Sequence, residues 1–267
     1  MKALGRMRRA AGVLLGCVLA GVATRLFSAD STADGLALFH KMQAALGGAD
    51  KIAAIRAFEQ QVRATAWNGN TGQAMGIVTK RTRWVRPNLL RVDQVGPGST
   101  YVLFFDGQSG WEVLPGANAV SVLEGGELKF AQVYVRTFRL NVWLADRDPS
   151  WRISSPSPGV VRVADGDIAH QLDFTLDPAT SLPGKTTNIS LSDPANPVPS
   201  EEVVTEWETV EGVRQARKWS VHRRGALVAD AVVETTRLNG GLRRADLEAR
   251  PSDLRPVLRK AAESQAR

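Results

Sequence analysis

The chain has 267 residues, 43% of them hydrophobic and 23% charged, which is enough for one domain with a substantial core. Its only cysteine is Cys17, so the protein beyond the N-terminal segment has no disulfide, no thiolate nucleophile and no cysteine metal ligand. The formal net charge is +7, but residues 1–29 hold five basic groups and no acidic one. The remainder is about +2, which gives no electrostatic case for a nucleic-acid partner.

Those first residues read as a secretory signal. Lys2, Arg6, Arg8 and Arg9 precede an apolar run over 10–23, shorter than the roughly 18 residues a spanning helix needs. Cleavage is open between Ala23 and Ala29, the second having Phe27 where a small residue is preferred. Leu14-Leu15-Gly16-Cys17 also resembles a lipobox with Cys17 as the anchor. The apolar run continues through Cys17 to Val22 where a polar tether belongs, and this favours the ordinary signal. A single domain is expected over 30–250, followed by a basic tail over 251–267.

Ser31-Thr32-Ala33-Asp34 offers N-caps for a helix in which Leu36, Phe39, Met42, Ala45 and Leu46 recur at helical spacing, and Gly47-Gly48 stops it. Asp50 is expected to cap a second, short helix with Ile52 and Ile55 on one side. From Phe58 the period changes to two: Gln60, Val62 and Ala64 alternate with Glu59, Gln61 and Arg63, and further runs follow at 77–85, 89–95 and 101–105. Pro87, with no N–H for a ladder, is placed at a strand edge or kink. Asp106-Gly107 and Ser109-Gly110 carry the turn chemistry of a hairpin ending in Trp111.

Residues 127–146 interrupt the strand pattern. Leu128, Ala131, Val135, Phe138 and Val142, widened by Phe130, Tyr134, Leu140, Trp143 and Leu144, predict one helix with a broader apolar face than a surface helix needs. Residues 154–159 read as loop. Strand-like runs continue near 151–155, 160–165, 184–192, 202–210, 213–223 and 226–238. The clearest is 170–177, where His170, Leu172, Phe174 and Leu176 share one face. A last short helix is expected from Ser252 through Leu254, Val257 and Leu258. So many short strands predict one strongly curved antiparallel sheet or barrel of roughly ten or more strands.

Catalytic and metal chemistry find little support. His40, His170 and His222 are the only histidines, and none stands at metal-ligand spacing. Gly107-Gln108-Ser109-Gly110 resembles a nucleophile elbow, but it joins two strands, and a hairpin turn accounts for it better. Asp173 and Asp177 fall on the polar face of their strand, and no Gly-rich phosphate loop opens a helix. The expectation is a non-enzyme without metal or cofactor. Seven Trp against two Tyr is a tryptophan-rich balance. Trp84, Trp207 and Trp219 lie in strands, where they line either a cavity or an ordinary core.

Trp84-Val85-Arg86-Pro87-Asn88-Leu89-Leu90, then Phe105-Asp106-Gly107 and Trp111, resembles the LolA-like family of periplasmic outer-membrane lipoprotein carriers. Residues 44–52, Val210-Glu211-Gly212-Val213 and Thr235-Thr236-Arg237-Leu238-Asn239 are similar to the same group. The resemblance implies an α+β, mainly β fold: an incomplete, half-closed antiparallel β-barrel of about eleven strands with covering and plugging helices. It implies periplasmic location and a cavity that shields acyl chains of a lipid or lipoprotein, with inner- and outer-membrane sorting proteins as candidate partners. On this reading the cavity and lid comprise Trp84, Leu90, Phe104, Phe130, Tyr134, Phe138, Trp143, Trp207 and Trp219. Arg86 matches the strand arginine that latches the lid in the ligand-free state; read from the residues alone it is equally an exposed strand arginine beside Lys80, Arg81 and Arg83. The chain departs from the family in its charged segment 247–251 and in its basic tail. A cell-envelope interaction or sensing module on the same fold is the alternative to a carrier.

Overall fold

The computed structural model describes residues 31–114, 119–166, 170–190, 199–251 and 254–256. The expected signal with its cleavage sites, Cys17, Ser252 and the tail from residue 257 lie outside the described residues.

Two antiparallel meanders make up the sheet. The first contains β1 (Ala57–Trp67), β2 (Ala74–Val85), β3 (Leu89–Gly96), β4 (Ser99–Phe105), β5 (Gly110–Leu114) and β6 (Ala119–Val122). The second contains β7 (Trp151–Ser157), β8 (Val160–Asp165), β9 (His170–Leu176), β10 (Pro183–Ser190), β11 (Ser200–Val210), β12 (Val213–Arg223) and β13 (Ala226–Leu238). β13 returns to pair with β1, Phe58 opposite Leu238, and so joins the meanders into one sheet. A two-residue strand, β14 (Arg255–Pro256), adds in parallel to β6 and brings the sheet to 14 strands. Among the described residues β6 and β7 do not pair, so the sheet stays open. The expected open, mainly β architecture is present; its strand count is higher in part because residues 110–122, read only as the end of a hairpin, form both β5 and β6.

The Trp84 block corrects one detail. Val85 faces Leu89 across β2 and β3, so Arg86-Pro87-Asn88 is a tight turn between two interior strands, with a cis Arg86–Pro87 bond, and Pro87 sits at neither an edge nor a kink. The ladder loses nothing there, because no partner strand faces Pro87. Residues 154–157 belong to β7 instead of a loop. Pro156 is tolerated in β7 because that strand is at the edge. The chain entering the first helix shields this edge: Thr32 N–H donates to Ile153 O (2.9 Å) and Ile153 N–H to Ser31 Oγ (2.9 Å).

The first helices lie against one face of the sheet. α1 (Ala33–Ala45) is capped by Thr32, whose Oγ1 accepts from Gly35 N–H at 3.1 Å. α2 (Ala49–Ala54) follows Gly48, so Asp50 sits in its first turn, not at the cap; there its charge still favours the helix dipole. The turn between them rests on the β11–β12 hairpin, with Arg214 N–H donating to Leu46 O at 2.8 Å. Gly47 is required at this contact, since its φ is +120° and a Cβ would stand 2.3 Å from Gly212 O.

The single helix expected over 127–146 is broken. α3 (Gly125–Arg136) ends at Thr137, whose hydroxyl donates to Val133 O at 2.8 Å; Phe138 is extended, and α4 (Arg139–Val142) and a 3-10 turn (Ala145–Arg147) follow. The break turns Phe138 into the core, where it is buried with Trp84, Phe58 and Leu140.

Strand alternation divides the apolar residues between the two faces. Leu103 and Phe105 join the helices in the main core, whereas Val102, Phe104, Trp111, Val113 and Val120 form a second cluster on the opposite face. That cluster is closed by Leu247 from α5 (Arg244–Glu248), a helix the periodicity did not reveal. Arg83 donates to Asp246 O (2.9 Å), and Arg91 donates to Leu247 O (3.0 Å) and Ala249 O (2.6 Å). Asp93 binds both arginines: burial pushes its carboxyl up, but their hydrogen bonds outweigh this and hold it below the usual carboxylate range. The helix expected from Ser252 is not formed over 254–256, which bend and then pair with β6. Because Leu247 is fully buried, Leu247→Ala is expected to cost about 2–4 kcal/mol in chemical denaturation. A loss below about 0.5 kcal/mol, the range of surface substitutions, would show that this segment is not packed on the sheet.

Candidate functional site

β6 and β7 lie at opposite sides of the open sheet, so the segment that joins them in sequence has to cross its helix-bearing face. α3 and α4 make that crossing. Between them and strands β1, β2 and β9 to β12 is a cavity of about 280 Å³, close to the lower end of small-molecule sites (about 300–1,000 Å³).

Five of the residues singled out from the sequence meet there: Tyr134, Phe138 and Trp143 from the roof, and Trp207 and Trp219 from the sheet. Trp84 and Leu90 lie deeper, fully buried in the main core. The Trp84 ring packs against Phe138 with centroids 5.1 Å apart, so it supports the wall and does not line it. Phe104 faces away, because it alternates with Leu103 and Phe105, and it stacks on Trp111 on the far side of the sheet (5.7 Å). Phe130 is 56% exposed on the outer side of α3, with its ring centroid 6.1 Å from that of Tyr134. The broad apolar stripe of 127–146 therefore faces two environments, a division that the helix break brings about.

Three polar side chains hold the roof down. The Arg86 guanidinium spans the end of α2 and the start of α4: it donates to Ile55 O (3.1 Å), Ile52 O (3.4 Å), Leu140 O (3.3 Å) and Asn141 Oδ1 (3.4 Å). It also lies 5.0 Å from the Trp84 ring. Burial, with Arg56 and Arg147 nearby, lowers its pKa, and among the described residues no carboxylate pairs with it. Gln43 of α1 reaches over to Trp143 O (2.8 Å) and Asp146 Oδ1 (2.8 Å). At the C-terminal end of α3, Arg136 binds Asp165 (2.7 Å), Asp148 (2.6 Å) and the Ser150 hydroxyl, with its guanidinium 4.8 Å from the Trp151 ring. A cation there also suits the helix dipole.

The cavity wall is not wholly apolar. Lys80 donates to Tyr134 Oη (2.9 Å), and Arg139 donates to Gln60 Oε1 (2.6 Å) while lying 5.1 Å from the Phe58 ring. The sequence reading grouped Lys80 with Arg81 and Arg83 as a charged strand surface. Alternation separates them: Lys80 and Thr82 line the cavity and Trp84 continues the same face, whereas Arg83 points to the α5 side. Gln43, Arg136 and Arg139 had no comparable signal, because their partners lie far away in sequence. Among the described residues no group of three or more His, Cys, Asp and Glu is placed to hold a metal ion.

The Arg136 clamp has a pH signature. Burial pushes the Asp148 carboxyl up, but Arg136 and Ser150 outweigh it and hold it at about 2, against about 3.9 for a free Asp. A depressed folded-state value stabilises the fold above the unfolded value, and that contribution is lost as pH falls through the folded one. The stability difference between the wild type and Asp148→Asn is therefore expected to be constant above about pH 5 and to shrink as pH falls from about 4 towards 2. A difference independent of pH, measured by denaturant unfolding, would remove Asp148 from the clamp.

Neither a protein-family model nor a curated protein matches the sequence. Solved structures do match. A LolA superfamily protein from Nitrosomonas europaea superposes with a TM-score of 0.54 at 11% identity, covering 80% of this chain and 97% of that one. A DUF1329 family protein from Desulfovibrio piger gives 0.53 at 12%, covering 82% and 98%. An outer membrane lipoprotein-sorting protein domain from Vibrio parahaemolyticus gives 0.50 at 12%, covering 80% and 96%. At such identity the shared property is the backbone: an open antiparallel sheet with helices across one face. In architecture this chain is a LolA-like half-barrel.

Proposed function

We propose that this protein is an exported periplasmic carrier that shields an acyl chain of a lipid or lipoprotein in the cavity beneath α3 and α4, with no catalytic step and no cofactor. The observation that carries the reading is a cavity walled in part by Phe138, Trp143, Trp207 and Trp219, whose roof is a separate crossover hydrogen-bonded to Arg86 through neutral oxygen acceptors. The likeness in fold to a lipoprotein-sorting domain supports it, as does the secretory character of residues 1–29. Each methylene hidden from water contributes about 0.8 kcal/mol, so one chain supplies ample affinity.

At about 280 Å³ the cavity is small because Phe138 and Trp143 occupy the roof. A long chain enters by displacing these side chains, so ligand and lid compete for the same apolar wall. Arg86 stabilises the closed, empty form, and donor and acceptor sorting proteins in the two membranes would act on the open one.

Native mass spectrometry and lipid extraction of the protein purified from the periplasm test this directly. Bound acyl lipid is the expected result; a chain that never carries lipid supports the interaction or sensing module instead. Charged-donor hydrogen bonds contribute about 1.5–3 kcal/mol each. Loss of the Arg86 set in Arg86→Leu is therefore expected to raise lipid retention roughly tenfold or more. Unchanged retention and release would make Arg86 a purely structural contact.

A further inference from the structure

The two cations in the cavity are unusual in their setting. Lys80 and Arg139 line the same cavity as Phe138, Trp143 and Trp207, and among the described residues neither forms an ion pair. An ammonium has three donors and a guanidinium five. The hydrogen bonds to Tyr134 and Gln60 use one donor of each group. The cavity's own carboxylate, Glu202, lies at its exposed end, and the nearby Glu208 is engaged by Arg217 (3.4 Å) and the Thr236 hydroxyl (3.1 Å).

The setting treats the two cations differently. Burial lowers the Arg139 pKa against the pull of Glu202, Tyr134 and Glu208; the Lys80 pKa is raised, first by the Tyr134 hydroxyl and further by Glu202, against burial and the repulsion of Arg139. Two like charges in a partly apolar cavity lose hydration and repel each other. If the lid needed only packing, apolar residues at 80 and 139 would serve it better.

We infer that the cavity is selective for amphiphiles with an anionic group, a carboxylate or a phosphate, which binds between Lys80 and Arg139 while the chain lies along Trp207, Trp219 and Phe138. This rests on the carrier reading and specifies its ligand class. The anion pairs with both cations at contact distance, which neither Glu202 nor Glu208 does, and takes the unused donors, with Arg139 offering its planar fork to two oxygens. Because Arg139 begins α4 and Lys80 binds Tyr134 of α3, the headgroup also touches both parts of the lid.

Titration calorimetry of the full chain with dodecanoate, dodecyl phosphate and the uncharged 1-dodecanol tests the inference. At least one anion is expected to bind roughly tenfold or more tightly than the alcohol, and the stronger of the two identifies the headgroup. Lys80→Met and Arg139→Met are each expected to remove most of that preference, read as the ratio of anion to alcohol affinity within the same variant, and Lys80→Arg is expected to keep it. Equal binding of all three in the wild type overturns the inference and leaves the carrier reading standing. Binding of none overturns both. A charge preference that survives in the folded Met variants, with folding checked by thermal unfolding, also overturns it.

Discussion

An open sheet with an apolar face and no second sheet to cover it is the constraint on which the rest of this structure depends. The face presented by Phe58, Trp84, Leu90, Leu103 and Phe105 has to be removed from water, and among the described residues helices cover it. α1 and α2 cover one part from the N-terminus. The other part falls to the segment between the two meanders, because β13 pairs with β1 and leaves β6 and β7 as the distant ends that this segment has to connect. The roof of the cavity is thus a consequence of strand order.

The two faces are held by different chemistry. On the α5 side, Arg83 and Arg91 share the carboxylate of Asp93 while gripping backbone carbonyls, which combines ion pairing with packing around Trp111 and Leu247. On the cavity side, Arg86 grips carbonyls and one amide, and among the described residues no carboxylate pairs with it. Neutral acceptors released from such a contact recover hydrogen bonds from water, so opening costs less than parting a buried ion pair would. Arg136, tied to Asp165 and Asp148, anchors the other end of the roof through ion pairs.

Much of this was legible in the chain. Two-residue alternation identified most strands, the clearest being His170 to Leu176, where the inward residues are the ones found buried. The Thr32 cap of the first helix and the glycines that end it were also readable, since those signals act within one turn, whereas the cap expected at Asp50 falls at Gly48. What failed did so for physical reasons. Pro87 looked like a kink because its turn is defined by a partner strand that the local sequence does not reveal. The segment 127–146 looked like one helix because its apolar residues keep helical spacing through a break imposed by the crossing. Phe104 and Phe130 matched the composition of a cavity but lie on other surfaces.

Local sequence therefore indicated most element types, one antiparallel sheet or barrel and the candidate aromatic set, since period, caps and turn residues act over a few positions, whereas the half-open form was implied only by the family resemblance. Only the tertiary structure decided which side of each strand became cavity, which carbonyls Arg86 reaches, and that Lys80 and Arg139 share one cavity with Trp207. These contacts join residues some 30 to 130 positions apart. Their pairing follows from strand order and the path of the crossover, which no short window of sequence contains.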